Sequence, residues 1–216
     1  MHISQSRLFK GLSLLALTMF VLGALALISA KSAGASSLSD SLERSTSNAN
    51  VPLHSFSFSL VPSSSSIKAC LPHAAGSVTI TPHSLNDAMT VSVSGLAPNT
   101  GYDLFVIQLP GKPFGVSWYQ SDLQTNSSGA GSVTVVGIFN KETFSISTGG
   151  TTTFGATHQY HLGLWFNDPK VPFNLGCEPG ATSPIVTPFN GEQNAGIQVL
   201  NTSNFPNNAG PLSHVS

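Results

Sequence analysis

The hydrophobic pattern changes character twice along the chain. Residues 11–30 form twenty consecutive uncharged, mostly apolar positions, preceded by Arg7 and Lys10. Positive charge followed by an apolar run is the mark of an export signal, and about 20 residues also suffice for a membrane-spanning helix. Ala33-Gly34-Ala35 supplies small residues for cleavage after Ala35, with Ile28-Ser29-Ala30 a poorer site. The run is longer than a usual signal core, so residues 1–35 are read as a signal peptide or a retained membrane anchor, with Arg7 and Lys10 cytoplasmic in the second case. Residues 36–66 are Ser-rich and end in Ser63-Ser64-Ser65-Ser66, a composition that buries too little apolar surface to order itself and reads as a disordered linker. Within it, Phe56, Phe58 and Leu60 alternate with Ser57 and Ser59, which marks a short edge strand.

From residue 67 onward the period is two. Strands are expected over 78–81, 89–93, 102–109, 116–120, 132–139, 143–147, 158–166 and 196–200, separated by turn residues such as Asn126-Ser127-Ser128-Gly129. No stretch carries an amphipathic helical period. The expected fold class is all-β, an antiparallel sandwich or barrel over residues 67–205, followed by a tail at 206–216.

Composition narrows the setting. Charged residues make up 8% of the chain and the formal net charge is −1, so Ser, Thr, Asn and Gln must keep the surface polar. Neither nucleic acid nor an anionic membrane surface is an expected partner; membrane contact is expected only through residues 11–30, if uncleaved. Cys70 and Cys177 are the only cysteines. In an exported protein they are expected to form one disulfide.

Gly95-Leu96-Ala97-Pro98-Asn99-Thr100-Gly101-Tyr102 resembles the GLxPxTxY segment of fibronectin type III domains, of the immunoglobulin-like β-sandwich superfamily. The resemblance covers about a dozen residues and follows two strands where the family has more. It implies a sandwich, a corner role for Tyr102 with its hydroxyl bonded back to the backbone, and a core role for Leu96. It implies no function.

Candidate chemistry is sparse. His158 and His161 are three apart, so a regular strand points them to opposite faces and they cannot chelate one ion; Asp168 could join one of them, but no third ligand is evident, His73 and His83 entering only by assumption, and no metal site or cofactor is expected. On the same strand Tyr160, Leu162, Leu164 and Phe166 share the core face. His161, Gly163 and Trp165 share the other, where Gly163 leaves room for a flat ligand or another chain, unless a loop such as the one after Asp168 covers the indole. Tyr119 is a second candidate aromatic, while Trp118 shares a face with Val116 and Gln120 and is expected in the core. No Ser lies in G-x-S-x-G, and Asp87, Asp103, Asp122, Glu142, Asp168, Glu178 and Glu192 form no recognisable catalytic pair. Asn126 and Asn201 each open an N-glycosylation acceptor triplet.

The expectation is therefore a secreted or cell-envelope β-sandwich with a structural or binding role and no evident catalysis. Its partner would be a protein or glycan at the cell surface, bound through His161, Trp165 and Tyr119. A carbohydrate-binding module and a hydrolase with carboxylates assembled only by the fold are the alternatives.

Overall fold

The computed structural model describes residues 54–139, 145–154, 160–188 and 194–215. Residues 1–35, expected to be a signal peptide or membrane anchor, the first part of the Ser-rich stretch, His158, Glu142 and Glu192 lie outside these residues, as does the start of the strand expected at 143–147. Among the described residues no helix is long and apolar enough to cross a membrane.

The fold is all-β and antiparallel. Eight strands form one sheet in the order β5-β4-β9-β10-β1-β2-β3-β6. They are β1 (Phe56–Pro62), β2 (Ala75–Pro82), β3 (Asp87–Ser94), β4 (Gly101–Ile107), β5 (Ser117–Gln124), β6 (Gly131–Gly137), β9 (His161–Phe166) and β10 (Gln198–Asn201). A separate hairpin pairs β7 (Ser145–Thr148) with β8 (Thr151–Phe154). Helices are short: α1 (Ser65–Cys70), capped by the Ser64 hydroxyl, which accepts the Ile67 N–H, and α2 (Lys170–Asn174). The order begins at β5 and ends at β6, which are consecutive in the chain, so the sheet nearly closes on itself. The turn between them is held by Asn126 Oδ1, which accepts the Ser128 and Ala130 N–H groups. Gly129 has φ +74° and its α-carbon lies so close to Leu96 O that a Cβ would stand 2.1 Å from it, so only glycine fits this turn.

Two sequence boundaries move. β1 was expected at a sheet edge within a linker reaching residue 66; it lies inside the sheet, pairing with β2 through Phe56–Leu60 and with β10 through Val61 and Pro62. Its alternation is the ordinary signature of a strand with one face in the core, since Phe58 and Leu60 are buried while Ser57 and Ser59 are exposed. The expected tail at 206–216 also packs: Leu212 and Val215 are buried, and the Leu212 N–H donates to Tyr160 O.

The core follows the period-two positions. Val78, Ile80, Met89, Val91, Leu104, Leu123, Leu162, Leu164, Phe166 and Leu200 are all 0–2% exposed and form one cluster. Outside it the two halves of the sheet differ. On β1-β2-β3-β6 two outward rows are hydroxyls in register, Ser57–Thr79–Thr90–Thr134 and Ser59–Ser77–Ser92–Ser132. Neighbours bond laterally, as at Ser57–Thr79 (2.8 Å) and Thr90–Thr134 (2.9 Å). On β4 and β9 the outward face is itself covered, so all six residues of β9 are buried.

The Cys70–Cys177 disulfide joins the end of α1 to the loop after α2, 107 residues apart. Tyr102 is fully buried and its hydroxyl accepts the Ala97 N–H at 3.1 Å; Leu96 is 4% exposed in the core. Burial holds the Tyr102 hydroxyl well above its ordinary pKa, against the smaller opposing effect of the Ala97 bond.

Candidate functional site

The covered outer face of β4-β9-β10, with β5 at its open edge, carries the unusual chemistry of the described residues. β4 supplies it because its sequence is apolar on both faces: Tyr102, Leu104 and Val106 enter the main core, while Phe105 and Ile107 point outward into a second, smaller cluster with Trp165 and Ala195. A run apolar at consecutive positions is what a strand buried on both faces requires.

Phe105 pairs in register with Gly163 of β9 and Tyr119 of β5. Trp165 bends back over Gly163, so a Cβ at Gly163 would lie 2.4 Å from its Cζ3 and 2.5 Å from Gln198 Nε2. The space that Gly163 was expected to leave for a ligand is therefore filled by the protein's own indole and amide. Trp165 meets Phe105 edge-on at 5.3 Å and Phe114 at 4.9 Å between ring centroids. Phe114 is carried over the sheet by the β4–β5 connection, closed by the Gln108 N–H to Val116 O (2.9 Å) and Leu109 N–H to Phe114 O (2.9 Å) bonds. From the other side Thr187, Pro188 and Ala195 approach, with the Thr187 N–H donating to Ala195 O at 2.8 Å.

Between these walls lies a cleft of about 80 Å3. Phe105, Phe114, Trp165 and Ala195 line its depth, and Ser117, Thr187 and Pro188 complete it. Among the described residues no charged side chain lines it.

Trp165 and His161 were expected to face solvent; they are 3% and 0% exposed. Strand alternation placed them correctly on the outer face, but loops cover that face. His161 has both ring nitrogens engaged, Nδ1 with Thr202 Oγ1 (2.9 Å) and Nε2 with Asn207 O (3.2 Å). Burial lowers its pKa, and the backbone bonds from 202–207 partly oppose this. It ties β9 to the C-terminal segment and has no free position for a ligand. Tyr119 is 38% exposed and lies beside Phe105 (5.7 Å between centroids). Trp118, expected in the core, is 56% exposed. The register shift between Leu104 and Phe105 skips Gln120, and β5 ends the sheet order, so the indole lies at the rim of the core.

A polar row crosses the same face. Asp103, Trp165 and Gln198 are consecutive cross-strand partners on β4, β9 and β10. Each carries a buried polar atom with no hydrogen-bond partner among the described residues: Asp103 Oδ2, Trp165 Nε1 and Gln198 Nε2. Asp103 also pairs across the register with Asp122 of β5. Burial chiefly, and then the Asp122 charge, push the Asp103 carboxyl above the usual carboxylate range, against the Asn167 Nδ2–H bond to Asp103 Oδ1 (2.8 Å). Tyr119 donates to Asp122 Oδ1 at 2.8 Å, and burial together with that carboxylate pushes its hydroxyl up to about 12. These two carboxylates are the only fold-assembled pair the strand register places opposite one another among the described residues. Asp103 is 1% exposed, which denies it a substrate.

Two other sequence candidates resolve differently. Asn126 is exposed, with Oδ1 committed to its turn. Asn201 is 1% exposed and its Nδ2 donates to Pro110 O and Gln198 Oε1, both at 2.9 Å, so the folded protein offers no glycosylation acceptor there. Among the described residues no group of three or more His, Cys, Asp and Glu side chains could hold a metal ion. Sequence reasoning missed Phe105, Phe114 and Ala195. For Phe105 the unbroken apolar run 104–107 was the available signal; Phe114 and Ala195 lie in connections whose position no periodicity encodes. No family model, curated protein or solved structure matches the chain.

Proposed function

We propose that this chain is an exported, immunoglobulin-like β-sandwich module that works at the cell surface by binding rather than by catalysis, and that the cleft between Phe105, Phe114 and Trp165 is its binding site. The observation that carries this reading is the cleft itself, an apolar opening between aromatic edges on the outer face of a sheet whose β1-β2-β3-β6 half carries two rows of hydroxyls. Apolar depth with a few polar groups at the edge is the usual make-up of a ligand site. At about 80 Å3 it is smaller than the several hundred Å3 of drug-sized pockets, so it receives one group of a partner, not a whole large ligand. Export is supported by the basic-apolar N-terminus and is compatible with the disulfide. The local resemblance around Tyr102 supports the sandwich class.

The test is a nuclear magnetic resonance screen of the labelled protein against small neutral fragments. Shifts concentrated on Phe105, Phe114, Trp165 and Ala195 support the reading; saturating shifts confined to another face would reject it. The exposed Trp118 and Tyr119 favour glycan binding as a second reading. That reading expects soluble oligosaccharides to change Trp118 fluorescence, and a flat titration with β-linked glucose and N-acetylglucosamine oligomers counts against it.

A further inference from the structure

We propose that β6 is an interaction edge, along which a second copy of this chain adds its own β6 antiparallel, joining two sheets across a two-fold axis at Thr134. The inference stands apart from the aromatic cleft. A strand edge presents backbone groups that template another strand, and folded proteins ordinarily blunt such edges with charge, proline or bulges. The two end strands of this sheet differ in that respect. β5 carries the exposed carboxylate of Asp122 and a register shift against β4 between Leu104 and Phe105. β6 has no charged residue and no proline over Gly131–Gly137, and it pairs with β3 through seven consecutive residues with no register shift. Its edge is regular and unguarded.

The core is also open there. On β3 the inward Met89 and Val91 are 0% exposed. Their partners on β6, Val135 and Val133, pack against the same core yet are only half-buried. The core thus encloses the side chains of β3 and stops short of enclosing those of β6. On the outer face Val136 is 63% exposed. A strand laid along β6 covers these three valines, and removing their apolar surface from water favours the pairing.

A second copy is the occupant because the strand is complementary to itself. Thr134 is the middle of the seven residues of β6, so antiparallel pairing about it overlaps the two strands fully. Val133 of one copy then lies opposite Val135 of the other on the core face. On the outer face Thr134 meets its own counterpart and Ser132 meets Val136. Threonines directly opposite across strands are favourable neighbours, and like charges there are not; β6 brings no charge to the axis. The hydroxyl row Ser57–Thr79–Thr90–Thr134, bonded at Thr90–Thr134 (2.9 Å), continues through the axis into the same row of the second copy. Both copies use the same edge, so the assembly closes at two, and the charged, shifted edge of β5 does not extend it.

The test is sedimentation equilibrium of the full chain in a mild detergent. The wild-type chain is expected to pass reversibly from monomer to dimer with a dissociation constant below about 1 mM. Thr134 is exposed, so Thr134→Lys and Thr134→Glu are expected to keep the melting temperature of dilute protein. Each sets like charges opposite one another at the axis and is expected to weaken dimerisation about tenfold. An equimolar mixture of the two sets opposite charges there and is expected to restore wild-type association. Ser57→Lys, on the same outer face but on β1, three strands from the edge, is expected to leave association unchanged. A wild-type chain still monomeric at about 1 mM, or a folded Thr134→Lys that dimerises like wild type, would overturn the proposal. A mixture that associates no better than either variant alone would overturn the two-fold axis at Thr134. Loss of the dimer in Ser57→Lys as large as in Thr134→Lys would place the contact on the hydroxyl face and overturn edge pairing.

Discussion

Tyr102 shows how one hydroxyl can fix a chain reversal. Its ring is buried against Phe166 at 5.1 Å, and its hydroxyl accepts the Ala97 N–H five residues back. Tyr102→Phe keeps the ring and orphans that buried N–H, so chemical denaturation should show a loss of about 1–3 kcal/mol; an unchanged midpoint would deny the bond its structural role. Asp103 makes a different prediction. Its folded-state pKa is raised, chiefly by burial, so the fold favours the protonated form. Its contribution to stability is therefore fully present below the unfolded carboxylate pKa of about 4 and is lost as pH rises through the raised folded value. His161 acts in the opposite sense: its lowered pKa favours the neutral ring, so stability is present above about 6.5 and is lost as pH falls. Asp103→Asn mimics the protonated carboxyl, keeping an acceptor for Asn167 and a donor for Asp122. Stability of this variant, followed by urea denaturation across pH, should fall less than wild type as pH rises from about 4. Parallel curves would show that Asp103 titrates normally.

At the scale of the element, β9 explains why alternation alone misjudges exposure. Leu162 and Leu164 face the main core, and Trp165 faces the second cluster with Phe105 and Phe114. A strand between two packed faces carries large side chains on both, and removing either leaves a cavity. Leu164→Ala is expected to cost about 2–5 kcal/mol and Trp165→Ala about 3–5 kcal/mol. Thr134→Ala, on the exposed hydroxyl face of β6, should stay within about 0.5 kcal/mol of wild type. The three variants are compared by denaturation midpoint; a near-neutral Trp165→Ala would mean that the covering loops are not packed on the indole in solution.

The described residues are organised by one sheet whose end strands, β5 and β6, are joined by a tight turn, with the disulfide fastening α1 to the loop after α2. Closing 107 residues of chain limits the unfolded ensemble by an amount worth about 4–5 kcal/mol in the chain-entropy estimate. Reduction should therefore lower the midpoint strongly, and thiol titration of denatured, unreduced protein should find no free cysteine, because Cys70 and Cys177 are paired. Two reactive thiols would contradict the bridge. The placement of β1 between β10 and β2 also means that residues 56–62 belong to the folded unit.

Period-two alternation in residues 78–81, 89–93 and 132–136 determined strands and inward faces, because a pleated strand with one wet face leaves that imprint on sequence. The even cysteine count likewise anticipated the bridge, and the Gly95–Tyr102 segment marked where the backbone turns. Tertiary structure alone decided what covers the second face. Trp165 and His161 lie on the side that alternation assigned, yet both are buried: Phe114, Thr187, Pro188 and Ala195 arrive over Trp165, and Thr202, Asn207 and Gly210 over His161, all from segments remote in sequence. The cleft and the Asp103–Asp122 pair exist only through cross-strand register. Local sequence specifies which way a side chain points; only the packing of distant segments specifies what it meets.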